Sequence, residues 1–228
     1  MKILFVTDMV DCWKHGIWFH RQQIPCNALG IRGHALKQVA MGSTFPENLL
    51  EWPDTVIFGR TYPVQYEPIK WMREYKKRGK RVLYDMDDDF WQVAKDNPSA
   101  LTSNAMKDQY EGMIREADAI ITPSKVLAKK FKKYFKKPVF ICPNSADENM
   151  YQERPREHGD QLVIGYSGAA SHWKDLALIA DVVSKLSEKH DFLFTIYGLV
   201  GEPLEAAMYA YRRIINEKLQ PEKTEYLQ

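Results

Sequence analysis

Short apolar runs alternate along the chain with longer segments whose apolar residues recur every three or four positions. The first run, Ile3 to Thr7 ending at Asp8, has no polar alternation and reads as a fully buried strand of a parallel sheet. A polar and aromatic loop follows from Met9 to Gly16, and the spacing over Trp18 to Leu29 predicts a helix stopping near Gly30–Gly33. Ala35 to Ala40 and Thr55 to Phe58 read as strands, Glu67 to Lys77 as a helix ended by Gly79, and Arg81 to Asp85 as the next strand. The period continues with a helix over Ala105 to Glu116, a strand over Ala119 to Thr122, and a helix over Lys125 to Phe135 capped by Ser124. Val139 to Cys142 is a strand closed by Pro143 and Asn144. Regular strand–helix alternation predicts an α/β, doubly wound parallel sheet.

Asp147 to Asp160 breaks the pattern: it is charged, carries Pro155 and Gly159, and holds few apolar residues. A second Rossmann-like unit begins beyond it. Leu162 to Tyr166 and Phe192 to Tyr197 read as strands, Trp173 to Lys189 and Leu204 to Leu219 as helices, and Thr224 to Leu227 as the opening of a third strand. The expected domains are 1–158 and 159–228.

Composition narrows the functional classes. With 228 residues, a net charge of +2 and 45% apolar residues, the chain has ample material for a core and no electrostatic case for nucleic acid. The local exception is the basic run from Lys129 to Lys137. Interleaved with Phe131, Tyr134 and Phe135, it reads as the wet face of an amphipathic helix, or as a patch for peripheral membrane contact or an acidic ligand. Cys12, Cys26 and Cys142 lie far apart and give neither a metal spacing nor a disulfide framework, so no metal is expected. Together with the lack of a leader-like or membrane-spanning segment, they point to a cytoplasmic protein.

Ligands of doubly wound sheets sit beyond the carboxyl ends of the strands, and four segments occupy such places. In Asp8 to Gly16, His15 and Gly16 precede a helix start, which suits an anion or a sugar, although G-x-G-x-x-G is missing. Asp85, Asp87, Asp88 and Asp89 put four carboxylates within five residues. Such crowding suits a metal, sugar hydroxyls or proton transfer; an acidic helix-capping turn is the plainer reading. Asp85 and Asp87 also fit the phosphatase pattern D-x-D-x-[TV], but Asp89 stands where Thr or Val is required. The metal-binding D-x-D of GT-A transferases is a further alternative. Thr122 to Ser124 and Cys142 to Asp147 are polar strand exits. The fourth segment, Gly165 to Leu176, is a strand, a small-residue loop and a helix start carrying His172 and Lys174, a pattern suited to a diphosphate.

The order of these segments resembles a known family. "Lys-Ile-Leu-Phe-Val-Thr-Asp", then "Ala-Asp-Ala-Ile-Ile-Thr-Pro-Ser" at 117–124 and "Val-Phe-Ile-Cys-Pro-Asn-Ser-Ala-Asp" at 139–147, resemble the N-terminal domain of GT-B glycosyltransferases of the family 4 type. "Ile-Gly-Tyr-Ser-Gly-Ala-Ala-Ser-His-Trp-Lys-Asp-Leu" and "Phe-Thr-Ile-Tyr-Gly" at 194–198 look like the start of their donor domain. The resemblance implies a GT-B fold of two Rossmann-like domains. It implies a nucleotide-diphosphate sugar as donor substrate, no cofactor or metal, and transfer with retention to a glycan or lipid-linked acceptor.

His15, before its helix start, and Asp87 and Asp88, which that resemblance puts at the cleft, are candidate catalytic residues, and Gly168, Ser171, His172, Lys174 and Gly198 are candidate donor-binding residues. Lys174 matches the family lysine that meets the leaving diphosphate. Five residues earlier the family carries arginine where this chain has Ala169, so His172 is expected to substitute. The family's Glu-x7-Glu segment does not occur, so the second domain is expected to be incomplete, and self-association through it is expected. The alternative function is a non-catalytic sugar- or nucleotide-binding module on the same fold.

Overall fold

The computed structural model describes residues 1–7, 16–41, 47–60, 67–95, 97, 105–146, 161–168, 172–197 and 224–227. The chain divides into two compact units, Met1–Gln92 with Asn104–Gln152, and Val93–Ser103 with Glu153–Gln228. The expected boundary, 147–160, and the helix expected over 204–219 fall outside the described residues.

The first unit is a six-stranded parallel sheet with strands β1 (Lys2–Thr7), β2 (Ala35–Ala40), β3 (Thr55–Phe58), β4 (Arg81–Asp85), β5 (Ala119–Thr122) and β6 (Val139–Ile141). The strand order is β2-β1-β3-β4-β5-β6, so the direction of winding reverses between β1 and β3. That reversal opens a crevice at the carboxyl ends of these two strands, where such folds receive ligands. Helices α2 (Pro68–Lys77), α3 (Lys107–Glu116) and α4 (Lys125–Phe135) cover one face. There Leu4, Val6, Val56, Phe58, Val82, Tyr84 and Ile120 pack with Met72, Tyr75, Tyr110, Met113, Ile114 and Phe131. The alternate strand residues Ile3, Phe5 and Ile57 turn to the other face, against Cys26 and Leu29 of the first helix. Burial on both faces explains the uninterrupted apolar runs read from the sequence.

The first helix departs from the expected regular one. Helix α1 spans 16–31 in three segments: Gly16–Trp18, a π-helical turn Phe19–Gln23, and Ile24–Ile31. Pro25 lies just beyond the wide turn. In a regular α-helix its missing N–H would leave the Arg21 carbonyl without a partner, and its ring would crowd that carbonyl. The π turn moves the pairing: the Ile24 N–H donates to the Phe19 carbonyl. It also turns two consecutive polar residues, Arg21 and Gln22, into the interior, where both are buried.

The second unit holds a three-stranded parallel sheet in the order β7-β8-β9, from β7 (Leu162–Ser167), β8 (Phe192–Tyr197) and β9 (Thr224–Leu227). Helix α5 (Trp173–Ser187) links β7 to β8 and buries Leu176, Ala180 and Val183.

Candidate functional site

Each parallel strand of the first unit delivers its carboxyl end to one edge of the sheet, and two ionic clusters form there. The first is centred on Arg21. Its guanidinium grips the Asp85 carboxylate with two bonds, Nε to Oδ2 at 3.0 Å and Nη2 to Oδ1 at 2.5 Å. Nη1 donates to the Cys142 carbonyl at 2.5 Å and to Asn144 Oδ1 at 3.0 Å. One side chain thus ties the helix after β1 to the end of β4 and the exit of β6. Gln22, beside it, donates to the Val6 carbonyl at 3.4 Å, and His20 Nδ1 lies 3.3 Å from the Ser145 carbonyl oxygen. Arg21 and Asp85 are 5% and 4% exposed, so their charges are held almost without water. Burial pushes the Asp85 carboxyl up to about 6 against the opposing pull of Arg21.

The second cluster involves the remaining acidic residues. Arg60, two residues beyond β3, donates from Nη1 to Asp87 at 3.2 Å and also pairs with Asp88. The backbone of Arg60 is fixed in turn: the buried Tyr84 hydroxyl donates to its carbonyl at 2.5 Å, and the guanidinium lies 5.3 Å from the centre of the Phe90 ring. Asp89 pairs with Lys130 of α4 and accepts the Trp91 N–H at 3.3 Å.

Four carboxylates therefore face three cations, Arg21, Arg60 and Lys130, and the crowding read from the sequence is largely relieved by the fold itself. Asp85, buried and gripped by Arg21, is shut off from acting as the nucleophile that the phosphatase pattern requires. Asp88 is the carboxylate left open to solvent, with its side chain 56% exposed. Among the described residues no group of three or more His, Cys, Asp or Glu side chains is placed to hold a metal ion. The Thr122 hydroxyl at the end of β5 is buried with no hydrogen-bond partner among the described residues.

In the second unit the turn from β7 into α5 is tied at both ends. The Gly168 N–H donates to the Tyr197 carbonyl at the end of β8, and the Tyr166 hydroxyl donates to the His172 carbonyl, each at 3.1 Å. A Cβ on Gly168 would stand 2.8 Å from the Tyr166 hydroxyl oxygen, so glycine is what lets the tyrosine reach across. His172 occupies the N-cap of α5, and its Nδ1 lies 2.8 Å from Asp175 Oδ2. Lys174 is exposed in the first turn. The arrangement offers a helix start and a cation to an anion arriving from solvent, with Asp175 as a counter-charge beside it.

Of the residues expected from the sequence, Asp87 and Asp88 meet on Arg60, and Gly168, His172 and Lys174 share the β7–α5 turn. His15, Ser171 and Gly198 lie outside the described residues. Arg21, Arg60, Lys130 and Tyr166 were not expected. For Arg21 a signal existed: a charged residue set among Ile17, Trp18, Ile24 and Pro25 has to find an interior partner.

No protein-family model matches the sequence, and no curated protein matches it. Solved structures do. A glycosyltransferase from Rickettsia africae ESF-5 aligns with 99% of this chain and 67% of its own, at a TM-score of 0.62 and 14% identity. A protein of Listeria monocytogenes described as a UDP-N-acetylglucosamine 2-epimerase aligns with 100% of this chain and 68% of its own, at a TM-score of 0.55 and 11% identity. The fold is of the GT-B type. At these identities the likeness concerns architecture, and the chemistry has to be argued from the residues. Among the described residues no helix is long and apolar enough to cross a membrane.

Proposed function

We propose that this chain transfers a glycosyl group from a nucleotide-diphosphate sugar to a hydroxyl of a glycan or lipid-linked acceptor, with retention. The observation that carries the reading is the tied turn from β7 into α5, which ends in His172 and Lys174 in a fold shared with a glycosyltransferase. In the transfer, the bond from the anomeric carbon to the diphosphate oxygen breaks and a bond to the acceptor oxygen forms. Negative charge grows on the departing diphosphate, and a helix start with a fixed cation stabilises it in the transition state. Lys174 and the first turn of α5 take that part, with no metal. In the first unit Asp87 and Asp88, held by Arg60, accept hydrogen bonds from sugar hydroxyls or take up the acceptor proton, together with His15.

A second reading, a binding module without transfer, draws on two features. Ala169 stands where the resembled family has arginine, and Asp175 puts a carboxylate beside the expected diphosphate position. Calorimetry with UDP, GDP and ADP tests the diphosphate assignment that both readings share. Lys174→Ala removes a charge-assisted hydrogen bond of roughly 1.5–3 kcal/mol, so affinity for the preferred nucleotide falls at least about tenfold. Equal affinity of the two proteins would remove Lys174 from the site.

A further inference from the structure

We propose that a pocket between α3 and α4 is a binding site for a neutral glycan. The pocket measures about 320 Å³ and is built entirely within the first unit. Its apolar surface comes from Trp91, Tyr134 and Phe135, with the fully buried Phe131 behind them. Trp91 packs directly on Phe131 and Phe135, with centroids 6.2 and 5.7 Å apart, which fixes its place in the wall. The exposed Tyr134 ring offers a face on which the C–H groups of a pyranose can lie.

The orientation of Trp91 is set before any ligand arrives. Its indole Nε1–H donates to Glu111 Oε1 at 3.1 Å, and its backbone N–H donates to Asp89. Gln92, Glu111, Arg115 and Lys130 supply the polar lining. These groups can meet vicinal hydroxyls in pairs, as donor and as acceptor. Charge separates the candidate ligands further. Lys130 is paired with Asp89, and Arg115 with Glu111 at 3.3 Å, so both cations already have an anion beside them. A phosphate or carboxylate would have to displace those partners, whereas a polyhydroxylated neutral ring has only to use the donors and lone pairs left over. The site does not rest on the transfer reading, since no residue of the nucleotide-binding turn belongs to it.

The test follows the Trp91 indole N–H in ¹⁵N–¹H spectra of the full chain, with the signal assigned by its loss in Trp91→Phe. Tetrasaccharides of glucose, N-acetylglucosamine, mannose and galactose are titrated separately, with inorganic phosphate as the anionic comparison. At least one tetrasaccharide is expected to shift the signal saturably. Tyr134 is 63% exposed, so Tyr134→Ala leaves the fold intact and weakens that binding about two- to tenfold. An unmoved Trp91 signal with every sugar, an equal response to phosphate, or undiminished affinity in Tyr134→Ala would each overturn the proposal.

Discussion

Arg21→Met keeps an unbranched stem and removes the guanidinium with its charge and its donors. In the native protein Arg21 satisfies both oxygens of Asp85 and also bonds the Cys142 carbonyl and Asn144. At pH 8 the variant leaves Asp85 either ionised and unpaired in a buried place or forced to take up a proton, and losing one partner of a buried pair costs roughly 3–5 kcal/mol. At pH 5 Asp85 is largely protonated already, because burial holds its carboxyl at about 6. The loss there is mainly that of hydrogen bonds left unmade, about 1–3 kcal/mol. The sign follows from linkage. A carboxyl raised in the folded state contributes its stability fully below its unfolded value of 3.8 and loses it as the pH climbs through about 6. Without Arg21 the folded value climbs higher still, so the deficit of the variant widens between pH 5 and pH 8. Urea unfolding of both proteins at the two pH values measures it, and Asp85→Asn in the Arg21→Met background should remove the part of the variant's pH dependence that Asp85 contributes. Equal deficits at pH 5 and 8, or a deficit under about 1 kcal/mol at both, would refute the buried pair as described.

Three further outcomes are expected. Gly168→Ala pushes the half-buried Tyr166 away from the His172 carbonyl, and the cost in a thermal melt is expected near that of one neutral hydrogen bond, about 1 kcal/mol; a loss several times larger would mean the turn is packed more tightly than its contacts indicate. Leu178, Val182 and Leu186 form an exposed apolar stripe on α5, so sedimentation should reveal concentration-dependent self-association that Leu178→Lys with Val182→Lys abolishes. A monomer at all concentrations would contradict this. Lys129, Lys132 and Lys133 stand exposed on α4 beside Tyr134. Flotation with phosphatidylglycerol vesicles should therefore capture the protein at low salt and release it at high salt, and no capture at low salt would leave the basic face as a solvated one.

The elements built from apolar runs were legible because burial on both sheet faces admits little else: β1, β3 and β8 occupy the segments their sequences mark. Helix α1 was legible as a helix but not as an interrupted one. Its π turn depends on Pro25 and on Arg21 meeting an acid 64 residues away, neither of which a periodicity records. The acidic run was correctly placed at the end of β4, yet its charges could not be balanced from the sequence. Arg21, Arg60 and Lys130 come from three distant segments that only the strand order gathers. On the second unit the small residues 169–171 lie outside the described residues. Tyr166 was hidden inside a strand, and only the register that brings Gly168 to Tyr197 shows why a side chain at 168 would be in the way.

Sugar transfer itself is tested most directly by presenting the purified chain with UDP-, GDP-, ADP- and dTDP-linked hexoses over an array of immobilised glycans and lipid-linked sugars, and by reading product mass and the free nucleoside diphosphate together. One donor is expected to yield an acceptor heavier by one hexosyl unit with stoichiometric release of its nucleoside diphosphate, and Lys174→Ala is expected to suppress both. Donor binding by calorimetry with no mass gain on any acceptor would contradict transfer and leave a binding module in its place.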